Sequence, residues 1–108
     1  MTRVVDFNKA FVTGNIDHIL LSELSEKPNH GYGLISLIKE EHRVYLGPST
    51  IYPSLNWLEK KGLVRSHWDL DNGRPRKVYL LTDKGKRTVR HQRMRIRQIL
   101  TKMVESKC

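Results

Sequence analysis

At 108 residues, with 38% hydrophobic and 29% charged residues, the chain is long enough for one domain around one small core. No apolar run approaches the roughly 20 residues needed to span a bilayer, and MTRVVDFNKA lacks the apolar core of a signal peptide, so the expectation is no membrane association and a cytoplasmic location. The net charge of +9 points to a polyanionic partner, most simply nucleic acid.

The charge is unevenly distributed. Residues 1–46 hold five Lys/Arg and six Asp/Glu, while residues 47–108 hold fifteen and five. The excess therefore belongs to the second part of the chain. Cys108, the single cysteine, cannot form an intrachain disulfide. The five histidines show no paired metal spacing, so neither a metal nor a cofactor is expected.

Residues 1–14 read as an N-terminal helical arm. Val4, Val5, Phe7 and Phe11 are its apolar residues, and Phe7 and Phe11 lie one helical turn apart. A small domain has its core elsewhere, so this arm is expected to pack on a partner subunit. Gly14 or Asn15 opens the next helix, which runs to about Glu26 with Ile16, Ile19, Leu20 and Leu24 as its stripe, Leu21 beside it, and Pro28 beyond. His30-Gly31-Tyr32-Gly33 begins a second helix, with Leu34, Ile35, Leu37 and Ile38 available for the core. Two glycines in an opening turn weaken a helix by roughly 1 kcal/mol each relative to Ala, which close approach of another helix or of DNA would explain. Arg43-Val44-Tyr45-Leu46 is a short link that reads as one additional strand beside the hairpin that follows.

The stretch Gly47–Thr82 carries the most punctuation. Pro48 suits a first helical turn, and Ser49 and Thr50 can cap N–H groups. Ile51, Leu55 and Leu58 form one stripe, Lys60 and Lys61 suit the C-terminal dipole, and Gly62 suits the position just after the helix. Pro53 confines the helix start to Pro48–Thr50. Val64, Trp68 and Leu70 then alternate with Arg65, His67 and Asp69, as in a half-exposed strand. Asp71-Asn72-Gly73 is a hairpin turn, and the return strand follows Arg74-Pro75-Arg76-Lys77. A capped helix followed by a basic-tipped hairpin is the outline of a winged helix-turn-helix over residues 15–82. The fold class is mainly α with a small β-hairpin wing.

Residues 83–108 read as a C-terminal helix capped by Thr82 or Asp83. Val89, Ile96, Ile99, Leu100, Met103 and Val104 form a stripe among Arg90, Arg93, Arg95 and Arg97. A helix this long outreaches a small domain, so its far half needs a second copy of the chain. The expected homodimer seam is Ile96, Ile99, Leu100 and Met103, assisted by Phe7 and Phe11.

The ordered series His30-Gly31-Tyr32, Ser49-Thr50-Ile51-Tyr52-Pro53, Leu55, Leu58-Glu59, Gly62-Leu63-Val64, Gly73-Arg74-Pro75-Arg76-Lys77, Tyr79, Leu81-Thr82 and Gly85 resembles the PadR-type transcriptional regulators of the short form, over roughly residues 16 to 86. Trp57 departs from the family pattern, in which many relatives carry a polar or charged residue there. The resemblance implies a sequence-specific repressor acting as a homodimer on a palindromic operator in double-stranded DNA. It puts His30 and Tyr32 at the junction with the recognition helix, where Tyr32 reads as a packed tyrosine. It also implies a small aromatic or phenolic effector, for which Trp57 and Trp68 offer flat apolar surfaces.

The expected DNA-contacting residues are Tyr32, Ser49, Thr50, Tyr52, Asn56, Lys60, Arg74, Arg76 and Lys77. Ser49, Thr50 and Asn56 are polar side chains off the apolar stripe, suited to base edges or phosphates, whereas the wing cations suit phosphates. Two other readings stay open: a general RNA- or DNA-binding winged helix, and a protein-interaction module on the same fold. No phosphate loop, nucleophile elbow or H-E-x-x-H motif is present, and Glu40-Glu41 read as a solvated face, so no catalytic residues are expected.

Overall fold

The computed structural model describes residues 2–70 and 73–105, with side chains from residue 7 onward. In chain order the elements are α1 (Thr2–Gly14), α2 (Ile16–Glu26), β1 (Asn29–His30), α3 (Gly31–His42), α4 (Pro48–Lys60), β2 (Val64–Asp69), β3 (Arg76–Leu81) and α5 (Asp83–Val104). Asp71, Asn72, Ser106, Cys108 and the side chains of Val4 and Val5 lie outside the described residues.

The apolar stripes do what their spacing predicts. Ile19, Leu20, Leu21 and Leu24 of α2 meet Leu34, Ile35 and Ile38 of α3 and Ile51, Leu55 and Leu58 of α4 in one core, with Ile16 packed at its edge. Val64, Tyr79, Leu81 and Val89 close it from the sheet and α5. Burying a Leu or Ile side chain contributes about 1.5–3 kcal/mol, so the three stripes dominate the stability of the unit.

The sheet has three antiparallel strands in the order β1-β3-β2. The third strand is not the 43–46 link. It is Asn29–His30, paired with Tyr79 and Val78 on the edge of β3 that β2 leaves open. The link cannot be a strand because Arg43 ends α3 in the left-handed region, with φ 59°, and Val44 and Leu46 are pulled into the core. Val64, Ser66 and Trp68 share the core-side face with their partners Leu81, Tyr79 and Lys77. The expected burial nevertheless stops early. Trp68 is 63% exposed and Leu70 is exposed too, because the helical layer ends before the tip of the hairpin.

Two junctions set the angle of α4. At its end, Leu63 N–H donates to Leu58 O and Gly62 N–H to Glu59 O, with Gly62 at φ 77°. This left-handed cap is the exit that Gly62 predicts. Thr82 then joins the two halves: its Oγ1 donates to Gly62 O at 2.6 Å and accepts from Gly85 N–H at 3.0 Å, capping α5. A side chain at Gly85 would fall on the carbonyl oxygen of Leu63, so that position has room for hydrogen alone. Pro53 stands in the second turn of α4 and leaves Ser49 C=O without its helical donor.

Beyond Val89, α5 leaves the core. Ile96 is half-buried, whereas Ile99, Leu100 and Met103 are exposed. Helix α1 divides its residues. Val12 is buried and Asn8 Nδ2 donates to His42 O, which docks the arm on its own domain. Phe7 and Phe11 stack on each other, centroids 6.1 Å apart, and face away from that core.

Candidate nucleic-acid interface

The exposed side of α4 carries Ser49, Pro53, Asn56, Trp57 and Lys60, with Thr50 half-buried. The Ile51-Leu55-Leu58 stripe fixes that orientation by occupying the opposite side. Trp57 lies under Lys61, whose Nζ is 5.5 Å from the ring centroid. Between α4 and the wing runs a groove of about 580 Å³. Tyr32, Tyr52, Asn56 and Trp68 supply its aromatic and amide surface, and Arg74, Arg76 and Lys77 its charge. The structure thus brings six of the nine sequence-predicted DNA residues to one groove; Ser49, Thr50 and Lys60 lie elsewhere along the same helix. Trp57 does not line this groove, so it and Trp68 do not meet there as one aromatic platform.

Tyr52 is the pivot between the helices. Its ring occupies the space a side chain at Gly31 would need, which is the close approach that the glycine predicts. Burial, and next Tyr32, push the Tyr52 phenol above its usual pKa. It therefore stays neutral and able to donate at neutral pH. Tyr32 is 63% exposed rather than packed in the core, because its ring only meets the edge of Tyr52, 6.1 Å between centroids at 67°. Tyr79 is buried beneath the groove, and burial, then Glu59 and Tyr52, raise its phenol likewise.

The wing is tied to α4 by a residue that charge counting overlooks. Glu59 Oε2 accepts from Ser66 Oγ at 2.7 Å, and its Oε1 lies 3.8 Å from Lys77 Nζ. Lys77 also sits over the Tyr79 ring at 5.6 Å. Lys77 is thus half-buried in these contacts, while Arg74 and Arg76 are exposed. Arg76 Nη1 lies 2.9 Å from Nε2 of His30, the residue that caps α3. His30 and Glu59 were not among the predicted site residues. The His30-Gly31-Tyr32 run is the available signal for the first and the Leu58-Glu59 pair of the family series for the second, though neither run specifies these contacts.

A family model described as the transcriptional regulator PadR-like family matches residues 20–91. Among solved structures, the chain is similar to a PadR family transcription regulator from Clostridium difficile, with a TM-score of 0.78 and 29% identity, covering 84% of this chain and 96% of that one. A PadR family transcriptional regulator from Eggerthella lenta gives 0.72 at 30% identity, covering 98% and 92%. Bacillus subtilis PadR, solved in complex with operator DNA, gives 0.66 at 28% identity over 71% of this chain and 45% of that one. No match is found among curated proteins. With two thirds of its length matched by the family model and its winged helix shared with these regulators, the chain belongs to the PadR-like family of transcriptional regulators.

Proposed function

We propose that the chain is a cytoplasmic homodimeric repressor that binds a palindromic operator in double-stranded DNA. The observation that carries this reading is one groove with Tyr52 and Asn56 of α4 on one wall and the exposed arginines of the wing on the other, while Ser49, Thr50 and Lys60 continue along the exposed side of the same helix. In it, α4 enters the major groove, where Asn56 meets base edges and Ser49 and Thr50 meet bases or phosphates. Arg74 and Arg76 neutralise backbone phosphates, with Lys60 and Lys77 adding field along the same face. Tyr32 and Tyr52 supply phenol donors at the rim. The operator complex of the Bacillus subtilis neighbour supports the choice of ligand. No helix among the described residues is long and apolar enough to cross a membrane.

The dimer rests on the exposed Ile99, Leu100 and Met103 with half-buried Ile96, assisted by Phe7 and Phe11. Two copies related by a twofold axis read two inverted half-sites, about one helical turn of DNA apart. Selection of bound duplexes from a random pool, followed by sequencing, tests this reading. An inverted repeat is expected. Equal binding to single strands contradicts duplex recognition, and the absence of salt-sensitive binding to any nucleic acid contradicts the whole reading. An aromatic effector stacked on Trp68 competes with DNA for the groove; tryptophan quenching by such a compound without DNA release contradicts that part.

A further inference from the structure

His30 faces two hydrogen-bond demands that one imidazole cannot meet. Its Nδ1 accepts from Gly33 N–H at 2.8 Å, and its Nε2 lies 2.9 Å from Arg76 Nη1. A neutral imidazole has one accepting nitrogen, an imidazolium has none, and a guanidinium only donates. One of the two contacts is therefore donor against donor.

The cap is the contact that holds. Gly33 is half-buried, and the Asn29 side chain packs where a Gly33 side chain would stand. Its N–H belongs to the first turn of α3, where no earlier carbonyl is in helical register to accept it. Asn29 also accepts from His30 N–H at 2.9 Å, which fixes the residue that carries the ring. Arg76 is exposed, and water can satisfy its five donors. The ring proton therefore sits on Nε2. The imidazole N–H and the guanidinium then converge at the rim of the groove, and neither brings the other an acceptor.

We propose that His30 and Arg76 together form the seat of one DNA backbone phosphate, whose non-bridging oxygens accept from His30 Nε2–H and from the Arg76 guanidinium. This rests on the reading that the groove binds duplex DNA, and it adds a neutral donor that ties the start of α3 to the wing through the ligand. A phosphate suits the seat better than a base edge: it offers several acceptors at once and carries the charge that Arg76 matches. The contact is blind to sequence, so it sets register and affinity.

The test is His30→Asn. Asn is among the best N-cap residues, so the variant keeps the cap of α3 and deletes only the Nε2–H donor. Affinity is measured on a duplex selected from the random pool and on a scrambled duplex, beside the thermal midpoint. The expected result is about tenfold weaker binding to both duplexes, as for one hydrogen bond to a charged group, with the midpoint unchanged. His30→Asn and Arg76→Ala combined should lose less than the product of their separate losses, because both act on one phosphate. Replacing backbone phosphates one at a time with neutral methylphosphonates probes the seat on intact protein. One position should cost the wild type affinity and cost the double variant nothing further. Wild-type affinity in His30→Asn beside weakened Arg76→Ala overturns the seat and leaves the DNA reading standing, as do losses that simply multiply. A wild type that binds neither duplex overturns the DNA reading itself.

Discussion

At the scale of single residues, Glu59 decides which wing cations are available to a ligand. It holds Ser66 by a hydrogen bond and faces Lys77 at 3.8 Å, so Lys77 is partly neutralised, whereas Arg74 is exposed. A half-exposed ion pair is worth little to stability, about 0–1 kcal/mol, so the importance of Glu59 lies in aiming the wing. Lys77→Ala should therefore lower the salt dependence of duplex binding by less than Arg74→Ala, which should remove about one unit of slope. Titrations of both variants at several salt concentrations check this; equal slopes would mean that Lys77 leaves Glu59 when DNA arrives. The acidic residue was invisible in the charge pattern because its partners, Ser66 and Lys77, are set by strand register, and register follows from the folded hairpin.

At the scale of elements, α2 and α3 meet through carboxyls. Glu23 and Glu41 approach each other, and burial, then the Glu41 carboxyl and the charge of Glu26, raise the Glu23 carboxyl from 4.5 to about 7. Glu40 and Glu41 are both exposed, as a solvated face requires, and Glu41 at its edge comes close to half-buried Glu23 and His42. A raised folded-state pKa means that the folded protein holds a proton the unfolded chain releases. Its stability therefore falls as pH rises between about 4.5 and 7. Glu23→Gln should flatten that fall and raise the melting temperature above pH 7 by a few degrees, a small effect because most of the group stays in water. Thermal scans across that window check the sign. The helices themselves were legible because each has a stripe and a stop: Ile51, Leu55 and Leu58 before Gly62, and Ile19 to Leu24 before Pro28. Strand β1 was not, since two residues carry no period and Asn29–His30 is extended only because β3 offers an open edge. His30 is not legible as a cap because Ser, Thr, Asn and Asp dominate that role. Val12 was overshadowed by Phe7 and Phe11, although the smaller side chain is the one that reaches the core.

At the scale of the whole molecule, α5 and the groove divide the proposed work. Helix α5 leaves the core after Val89 with apolar residues uncovered, and two charges placed in that stripe should split a dimer. Ile96→Asp with Ile99→Asp should sediment as a monomer that keeps its fold, where the wild type sediments as a dimer at micromolar concentration; a monomeric wild type would contradict the seam. The central claim is that α4 reads sequence while the wing holds phosphates. The most direct measurement is a set of binding isotherms on selected and scrambled duplexes over a range of salt, for the wild type, Asn56→Ala and Arg74→Ala/Arg76→Ala. Asn56→Ala should lose about 1–3 kcal/mol of preference for the selected duplex and keep its scrambled-duplex affinity. The arginine double variant should weaken on both duplexes and lower the salt slope by about two units. An arginine double variant with wild-type affinity and slope, or an Asn56→Ala variant weakened equally on both duplexes, would contradict the account.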